Sequence, residues 1–313
     1  ARARIITGLI PCNVIPEEIL TDHPDRYRAM IIQSGNPVHS LADSQRMREA
    51  IRSLEFSVAI DVAMTETARE VDYVLPATSQ FEKAEATFFN LEFPDNVFHL
   101  RQPLFQPLDG ALDEGEIATR LLEAMGELDD KDYRGLRLAA RTGLTAFATA
   151  FLAQMTVKPK LMKYVAPILY RTVGRTLPKG MQMAAVVWGL CLNYVQSFPG
   201  PAKRAGFGGP LPIAANRLFR AIIGSPSGPI FARSTYDESW QAIRRAGNHI
   251  NLNIPEMLAE QPKALRERPT QEAEYPFVLS AGERRSDTAN TAIRDPNWHT
   301  KGLYGALRIS PKD

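Results

Sequence analysis

The protein is a chain of 313 residues, of which 44% are hydrophobic and 23% are charged. These values are ordinary for globular proteins and exclude disordered and collagen-like chains. The 37 basic and 35 acidic residues give a formal net charge of +2, so the total charge identifies no partner. The only cysteines, Cys12 and Cys191, are too few for a disulfide framework and fit a reducing compartment, so we expect a cytoplasmic protein.

The charge is distributed unevenly along the chain. Residues 133–236 contain 14 basic residues and no aspartate or glutamate, which leaves 23 of the 37 basic residues against all 35 acidic ones elsewhere. Such asymmetry predicts that the basic stretch faces something anionic. The acidic remainder of the chain, an anionic membrane and an acidic partner are the three alternatives.

The first third of the chain reads as alternating strands and helices. Short apolar runs at 29–32, 56–60 and 72–76 are typical of strands buried on both faces. A helix beginning at Asp43 or Ser44 separates the first two runs, and Thr65 is a candidate cap for a short helix between the second and third. This alternation predicts parallel βαβ units.

Helical patterns dominate the middle of the chain. Residues 114–128 have the pattern of an amphipathic helix, and the basic stretch reads as mostly helical with glycine and proline breaks. The longest uncharged run has an apolar core of ten residues, 183–192, shorter than the roughly 17–25 that a spanning helix needs, so we predict no transmembrane segment. Residues 253–274 read as a linker, and a strand signal follows at 275–279.

Two features at strand ends are candidates for ligand binding. Gly35, Asn36 and Pro37 follow the first strand, where open α/β sheets bind ligands, although this tripeptide is also a common turn. Asp61 ends the second strand, 26 residues after Gly35, where dinucleotide folds place an acidic residue that binds a nucleoside. A turn or capping aspartate is the equally weighted alternative. The G-x-G-x-x-G pattern is absent, which argues against a standard nicotinamide site.

Other charged residues give weaker signals. Glu82 and Lys83 have the residue types of a catalytic acid and base, but adjacent opposite charges are more often a solvated surface pair. The five histidines have no ligand spacing. We therefore predict neither a catalytic residue nor a metal ligand in this sequence.

Four short motifs, in this order and spacing, resemble the molybdopterin oxidoreductases of the dimethyl sulfoxide reductase family, which includes formate dehydrogenases and nitrate reductases. They are Gln33–Val38, Ile60–Ala68, Asp72–Ala77 and Phe81–Lys83. The resemblance covers roughly residues 5–127. A second patch, Tyr275–Arg285 followed by Thr288–Thr291, is similar to the entry into the C-terminal β-barrel domain of that family.

The resemblance implies an α/β fold class with three parts. These are a partial parallel-sheet nucleotide-binding domain, a basic helical insertion and the start of a C-terminal β-barrel domain. Residues 1–127 would be the second half of the domain that binds molybdopterin guanine dinucleotide, 128–252 the basic helical region, 253–274 the linker, and 275–313 the start of the barrel. The chain would be an internal fragment of a longer enzyme.

The resemblance also implies a cofactor and the residues that hold it. The cofactor would be molybdenum or tungsten between two molybdopterin guanine dinucleotides, and an iron–sulfur cluster is expected in an N-terminal part that is absent here. The implied cofactor-binding residues are Ser34, Gly35, Asn36, Pro37, Asp61, Thr65, Arg284, Arg285, Thr288 and Asn290. The loop of residues 34–37 would lie against a dinucleotide phosphate, and Asp61 with Thr65 would bind the guanine end.

The sequence therefore leaves three hypotheses open. The leading one is the cofactor-clamping part of a molybdopterin-dependent oxidoreductase that carries out a two-electron redox reaction, inactive as an isolated fragment. The second is a scaffold that keeps the fold without the metal, and the third is a module that docks on a membrane or partner through the basic helices. Expected partners are the remainder of its own chain and an electron-transfer subunit, and no nucleic acid.

Overall fold

A computed structural model describes residues 5, 8–86, 92–241 and 252–266. The chain forms two compact units. One contains residues Ala1–Arg28, Asn36–Leu54 and His249–Asp313, and the other contains Ala29–Gly35 and Glu55–Asn248.

The first unit is helical in its described part. A 3₁₀ turn at Cys12–Val14 leads into α1 (Ile15–Leu20), and two further helices follow, α2 (Pro37–Ser40) and α3 (Ser44–Arg52). The predicted start of α3 is confirmed, because the Asp43 carboxylate accepts a hydrogen bond from the Arg46 N–H at 3.0 Å. Helix α12 (Pro255–Arg266) lies in the segment that the sequence suggests as a linker, and its described side chains are exposed.

The second unit contains the predicted parallel sheet. Its strands are β1 (Ala29–Gln33), β2 (Phe56–Asp61) and β3 (Tyr73–Pro76), in the order β1-β2-β3. Both pairs are parallel, with Ala29 opposite Phe56 and Asp61 opposite Pro76. The central strand β2 is buried at four consecutive positions, as expected when both faces of a parallel sheet are covered.

The rest of the second unit is mainly helical, as predicted. The α-helices are α4 (Glu114–Ala124), α5 (Asp130–Thr142), α6 (Leu144–Val157), α7 (Val165–Arg171), α8 (Val186–Ser197), α9 (Pro199–Arg204), α10 (Leu211–Gly224) and α11 (Tyr236–Gln241). Three 3₁₀ segments lie among them, Pro159–Tyr164, Val173–Thr176 and Gln182–Ala185. Two short antiparallel pairs complete the unit, β4 (Glu85–Ala86) with β6 (Leu100–Arg101) and β5 (Asp95–Val97) with β7 (Ile230–Arg233).

The helices share one core around Trp188. Its ring lies edge-on to Phe147 and Phe151, with centroids 5.0 and 5.4 Å away, and its indole N–H donates to the Asn216 side chain at 2.8 Å. The core also includes Ala84 and Leu100 from the chain before the helices. A smaller cluster, Val58, Ile60, Ala77 and Ile117, packs α4 against the sheet.

Two local predictions are wrong in detail. Helix α4 ends at Ala124 rather than 128, and Leu121 and Met125 are exposed instead of forming part of its buried stripe. Ile117 contacts the sheet while Leu122 packs against the helical core, so the apolar residues of α4 serve two surfaces rather than one stripe. The segment after Thr65 forms a turn at 66–70 and no helix.

Two further sequence predictions concern the membrane and the barrel. None of the helices within the described residues is long and apolar enough to cross a membrane. The predicted start of a β-barrel at 275–313 lies outside the described residues.

Candidate functional site

The carboxyl ends of the three parallel strands lie side by side. Past the end of β1, the Ser34 N–H donates to the Ile60 carbonyl at 3.0 Å. Past the end of β3, the Ala77 N–H donates to the Asp61 carbonyl, also at 3.0 Å. The loops that follow the strands therefore leave the sheet at one edge, which is where open α/β sheets bind ligands.

The loop after β1 contains a serine in an unusual backbone conformation. Ser34 has a φ of +53°, in the left-handed region that non-glycine residues rarely adopt, and it is exposed. It is Ser34, and not the adjacent Gly35, that takes up the left-handed conformation. Such conformations cost roughly 1–3 kcal/mol and cluster at ligand-binding sites.

The predicted loop is divided between the two units. Ser34 and Gly35 belong to the unit that contains the sheet, whereas Asn36 and Pro37 belong to the other. There they begin α2, where the Asn36 carbonyl accepts hydrogen bonds from the N–H groups of His39 and Ser40 at 2.9 Å. Cofactor contact by these four residues stays a prediction.

Asp61 occupies the middle of the strand-end edge. Its Oδ1 accepts a hydrogen bond from the Ala63 N–H at 3.1 Å, which is an Asx turn, and the residue is half-buried. Its Oδ2 has no hydrogen-bond partner among the described residues. The turn role weighed from the sequence is therefore present, and it leaves one carboxylate oxygen available to a ligand.

Thr65 is buried and acts as a local cap. Its hydroxyl oxygen accepts a hydrogen bond from the Ala68 N–H at 3.0 Å. This is the capping geometry expected from the sequence, although the turn that it caps does not continue as a helix. Its role at the guanine end stays a prediction.

Sequence reasoning missed Thr78, which lies two residues beyond β3. Thr78 is almost fully buried, and its hydroxyl has no hydrogen-bond partner within the described part of the chain. Buried hydroxyls without a partner are uncommon, because each costs desolvation free energy. The rule that selected Asp61 looks for an acidic residue at a strand end after the glycine loop, so it could not have selected Thr78.

The prediction that Glu82 and Lys83 form a solvated surface pair is wrong. Both are buried, and each has other partners. The Glu82 carboxylate accepts hydrogen bonds from the N–H groups of Ser79 at 2.7 Å and Leu108 at 2.8 Å, and the Ser79 bond is the main cause of a lowered Glu82 pKa. Lys83 pairs with Glu114 of α4, both side chains being 11% exposed. These residues fix the loop after β3 to α4.

A second buried charge cluster joins α4 to α7. Arg171 donates to Glu123 through Nε at 2.8 Å and Nη2 at 2.7 Å, and to Glu116 through Nη1 at 2.6 Å. The hydrogen bond from Arg171 is the main cause of a lowered Glu123 pKa. Burial opposes ionisation of Glu116, but hydrogen bonds from Arg120 and Arg171 outweigh it and lower the Glu116 pKa.

Four of the implied site residues belong to the barrel side and lie outside the described residues. They are Arg284, Arg285, Thr288 and Asn290. Their contact with the cofactor stays a prediction. The described residues contain no group of three or more histidine, cysteine, aspartate or glutamate side chains placed to hold a metal ion.

Comparison with known families finds a similarity in the first third of the chain. The sequence model described as "Molybdopterin oxidoreductase" matches residues 12–121. This range contains β1, β2 and β3 together with the loops at their carboxyl ends.

Curated relatives resemble the same part of the chain. The F420-dependent formate dehydrogenase 2 subunit alpha of Methanococcus maripaludis is 35% identical over 109 residues, which are 35% of this chain and 16% of that protein. The trimethylamine-N-oxide reductase of Vibrio cholerae is 32% identical over 111 residues, 35% of this chain and 13% of that protein. The chain spans less than a fifth of the length of the curated relatives it matches.

A solved structure, acetylene hydratase from Pelobacter acetylenicus, is 22% identical. The TM-score is 0.34, and the match covers 39% of this chain and 16% of that one.

Proposed function

We propose, from the match of residues 12–121 to the molybdopterin oxidoreductase model, that the chain is the cofactor-clamping part of a molybdenum or tungsten oxidoreductase. The cofactor in this proposal is molybdopterin guanine dinucleotide, and the strand-end edge of β1, β2 and β3 binds its nucleotide end. An electron-transfer subunit and an iron–sulfur cluster in the remainder of the enzyme belong to the same proposal.

The observation that carries the proposal is the Asp61 carboxylate at this edge. One oxygen is used by the Ala63 N–H, and the other has no partner among the described residues. The ring N–H and the exocyclic amine of guanine point the same way, so a carboxylate can accept hydrogen bonds from both. Adenine lacks this donor pair. Asp61 would therefore select the base as well as hold it.

The surroundings of Asp61 fit a bound nucleotide. Val62 is 62% exposed and Met64 57% exposed, so two apolar side chains next to the carboxylate present uncovered surface. A flat base would cover such surface favourably. Ser34, which is exposed just past the end of β1, adds a polar group at the same edge.

The chemistry expected of the bound cofactor is a two-electron transfer at the metal. The residues described here would take part by binding and orienting its nucleotide portion. Asp61 would fix the base, Ser34 and Gly35 would lie at a phosphate, and the buried pair of Lys83 with Glu114 would hold the loop after β3 in place.

Replacing Asp61 by asparagine in the full-length enzyme tests the proposal. Asparagine keeps the shape but replaces one acceptor oxygen by a donor, which opposes the donors of guanine. Charged hydrogen bonds of this kind are worth about 1.5–3 kcal/mol each, so we expect at least about a tenfold loss of cofactor affinity. The measurement is guanine nucleotide and metal per chain in the purified variant.

Asp109→Asn is the matched control, because Asp109 is an exposed aspartate outside the strand-end edge. It should retain the wild-type cofactor content. Circular dichroism of both variants should match that of the wild type. Wild-type cofactor content in Asp61→Asn would contradict the proposal. It would mean that Asp61 serves only the turn and does not bind guanine.

A further inference from the structure

A cavity of about 270 Å³ lies in the helical part of the second unit, away from the strand-end edge. It is bounded by the end of α8, by α9 and by the loop that leads into α10. The residues that line it are Val195, Gln196, Pro199, Lys203, Phe207, Gly208, Gly209 and Leu211. Most of this wall is apolar, and Lys203 is its only charged residue.

Lys203 has no acidic partner among the described residues. Its neighbour Arg204, by contrast, pairs with Glu238. Residues 133–236 contain no aspartate or glutamate, and Glu238, whose carboxylate lies beside Gly200 of α9, is paired with Arg204 rather than with Lys203. A lysine beside an apolar cavity without a countercharge favours an anionic ligand.

A second cation lies beside the same cavity wall. The Arg217 guanidinium donates a hydrogen bond to the Gly208 carbonyl, and a Cβ on Gly209 would lie 3.7 Å from its Nη2. The N–H groups of Gly208 and Gly209 donate to no group within the described ranges. Two cations and two free N–H groups thus lie on or beside an apolar cavity, and together they match a phosphate.

We propose that this cavity binds an alkyl phosphate. The alkyl chain lies against Val195, Phe207 and Leu211, and the phosphate pairs with Lys203 and Arg217. The volume is just below the roughly 300–1,000 Å³ of most small-molecule pockets, which suits a short chain or the headgroup end of a longer one. This site is independent of the proposed molybdopterin function, so either can fail without the other.

Calorimetric titration of the full chain with octyl phosphate tests the proposal. We expect saturable binding, and binding of inorganic phosphate and of octanol at least about tenfold weaker, because each supplies only half of the interaction. Lys203→Met should lower the affinity for octyl phosphate at least about tenfold. Lys160→Met, which removes another exposed lysine of the basic stretch, should leave it unchanged.

A glycine variant provides a second, independent probe. A Cβ on Gly208 would lie 2.8 Å from Cγ of Lys203, so Gly208→Ala should displace the lysine stem and weaken binding while the charge is kept. Equal affinity of the wild type and Lys203→Met, or equal affinity for octyl phosphate and inorganic phosphate, would overturn the proposal.

Vesicles distinguish the two sources of an alkyl phosphate. If the wild type sediments with vesicles of phosphatidylcholine and phosphatidylglycerol and Lys203→Met does not, the ligand is a membrane phospholipid. If octyl phosphate binds but the vesicles do not, the ligand is a free alkyl phosphate. Absence of binding to both probes would contradict the site.

Discussion

At the scale of single residues, Arg171 and Arg120 bind the same carboxylate in different surroundings. The Arg171 side chain is 11% exposed and binds Glu116 and Glu123, whereas Arg120 is 61% exposed and binds Glu116 alone. Removal of one member of a buried ion pair leaves the other charge uncompensated, whereas an exposed ion pair contributes little to the free energy of unfolding. Variants of Arg171 and of Arg120 therefore separate the loss of a buried ion pair from the loss of an exposed one at the same residue, Glu116.

We predict that Arg171→Met lowers the free energy of unfolding at pH 7 by about 2–4 kcal/mol, less than for a fully buried pair because Glu123 is partly exposed. Arg120→Met should lower it by less than about 1 kcal/mol. Urea denaturation of both variants measures the difference. Equal effects would show that burial of Arg171 contributes nothing.

The Arg171 effect should also depend on pH. The pKa values of Glu116 and Glu123 are lowered in the folded protein from the ordinary 4.5. A lowered pKa stabilises the fold above the ordinary value, and this contribution is lost as the pH falls through the folded pKa. The difference in the free energy of unfolding between the wild type and Arg171→Met should therefore become smaller below pH 4.5. If this difference stays constant down to pH 3, the stabilisation does not come from the ionised forms of Glu116 and Glu123.

These contacts also show what the sequence could not predict. The start of α3 at Asp43 or Ser44 is predictable from local residues, and the capping partner of Asp43 lies only three residues away. The partners of Arg171 lie 48 and 55 residues away, and Lys83 pairs with Glu114 across 31 residues. Adjacent charges such as Glu82 and Lys83 resemble a surface pair because only the folded chain reveals their actual partners. The three strands, and the position of Asp61 at the end of the second, were predictable because local patterns determine them.

At the scale of elements, two helix glycines differ in the space around them. A Cβ on Gly115 in α4 would lie 3.0 Å from the ring of Tyr170 in α7. The Tyr170 hydroxyl donates to Asp113 at 2.9 Å, and Asp113 caps α4. The ring is therefore held close to the helix. A Cβ on Gly135 in α5 would meet nothing within 4 Å.

We predict that Gly135→Ala raises the free energy of unfolding by about 0.5–1 kcal/mol through helix propensity. Gly115→Ala should lower it, because the added methyl group displaces Tyr170 and strains the cap. Thermal unfolding of both variants is the measurement. A stabilising Gly115→Ala would show that α7 moves freely away from α4.

At the scale of the whole molecule, the basic stretch is partly neutralised by acidic residues outside it. Among the described residues, six of its 14 basic residues pair with acidic partners. The pairs are Arg137 with Asp130, Lys158 with Asp132, Lys163 with Glu127, Arg171 with Glu116 and Glu123, Arg204 with Glu238, and Arg233 with Asp95. Contact with the acidic remainder of the chain, one of the three alternatives, therefore neutralises part of the charge of the basic stretch.

The shared core and the Arg171 contacts predict that α4 and α7 unfold together. Their amide protons should exchange with the same free energy of opening, close to that of global unfolding. The amide protons of α12, whose described side chains are exposed, should exchange much faster. Native-state hydrogen exchange measures both. A separate, lower-energy opening of α7 would show that the helical region is an independent domain.

We propose that this chain holds molybdopterin guanine dinucleotide. The most direct measurement is the metal and guanine nucleotide released on denaturation of the purified full-length protein. We predict molybdenum or tungsten together with two guanine nucleotides for each metal atom, and loss of both in Asp61→Asn. A protein that contains neither metal nor guanine nucleotide, after expression in a host that makes the cofactor, would contradict it and favour the scaffold hypothesis.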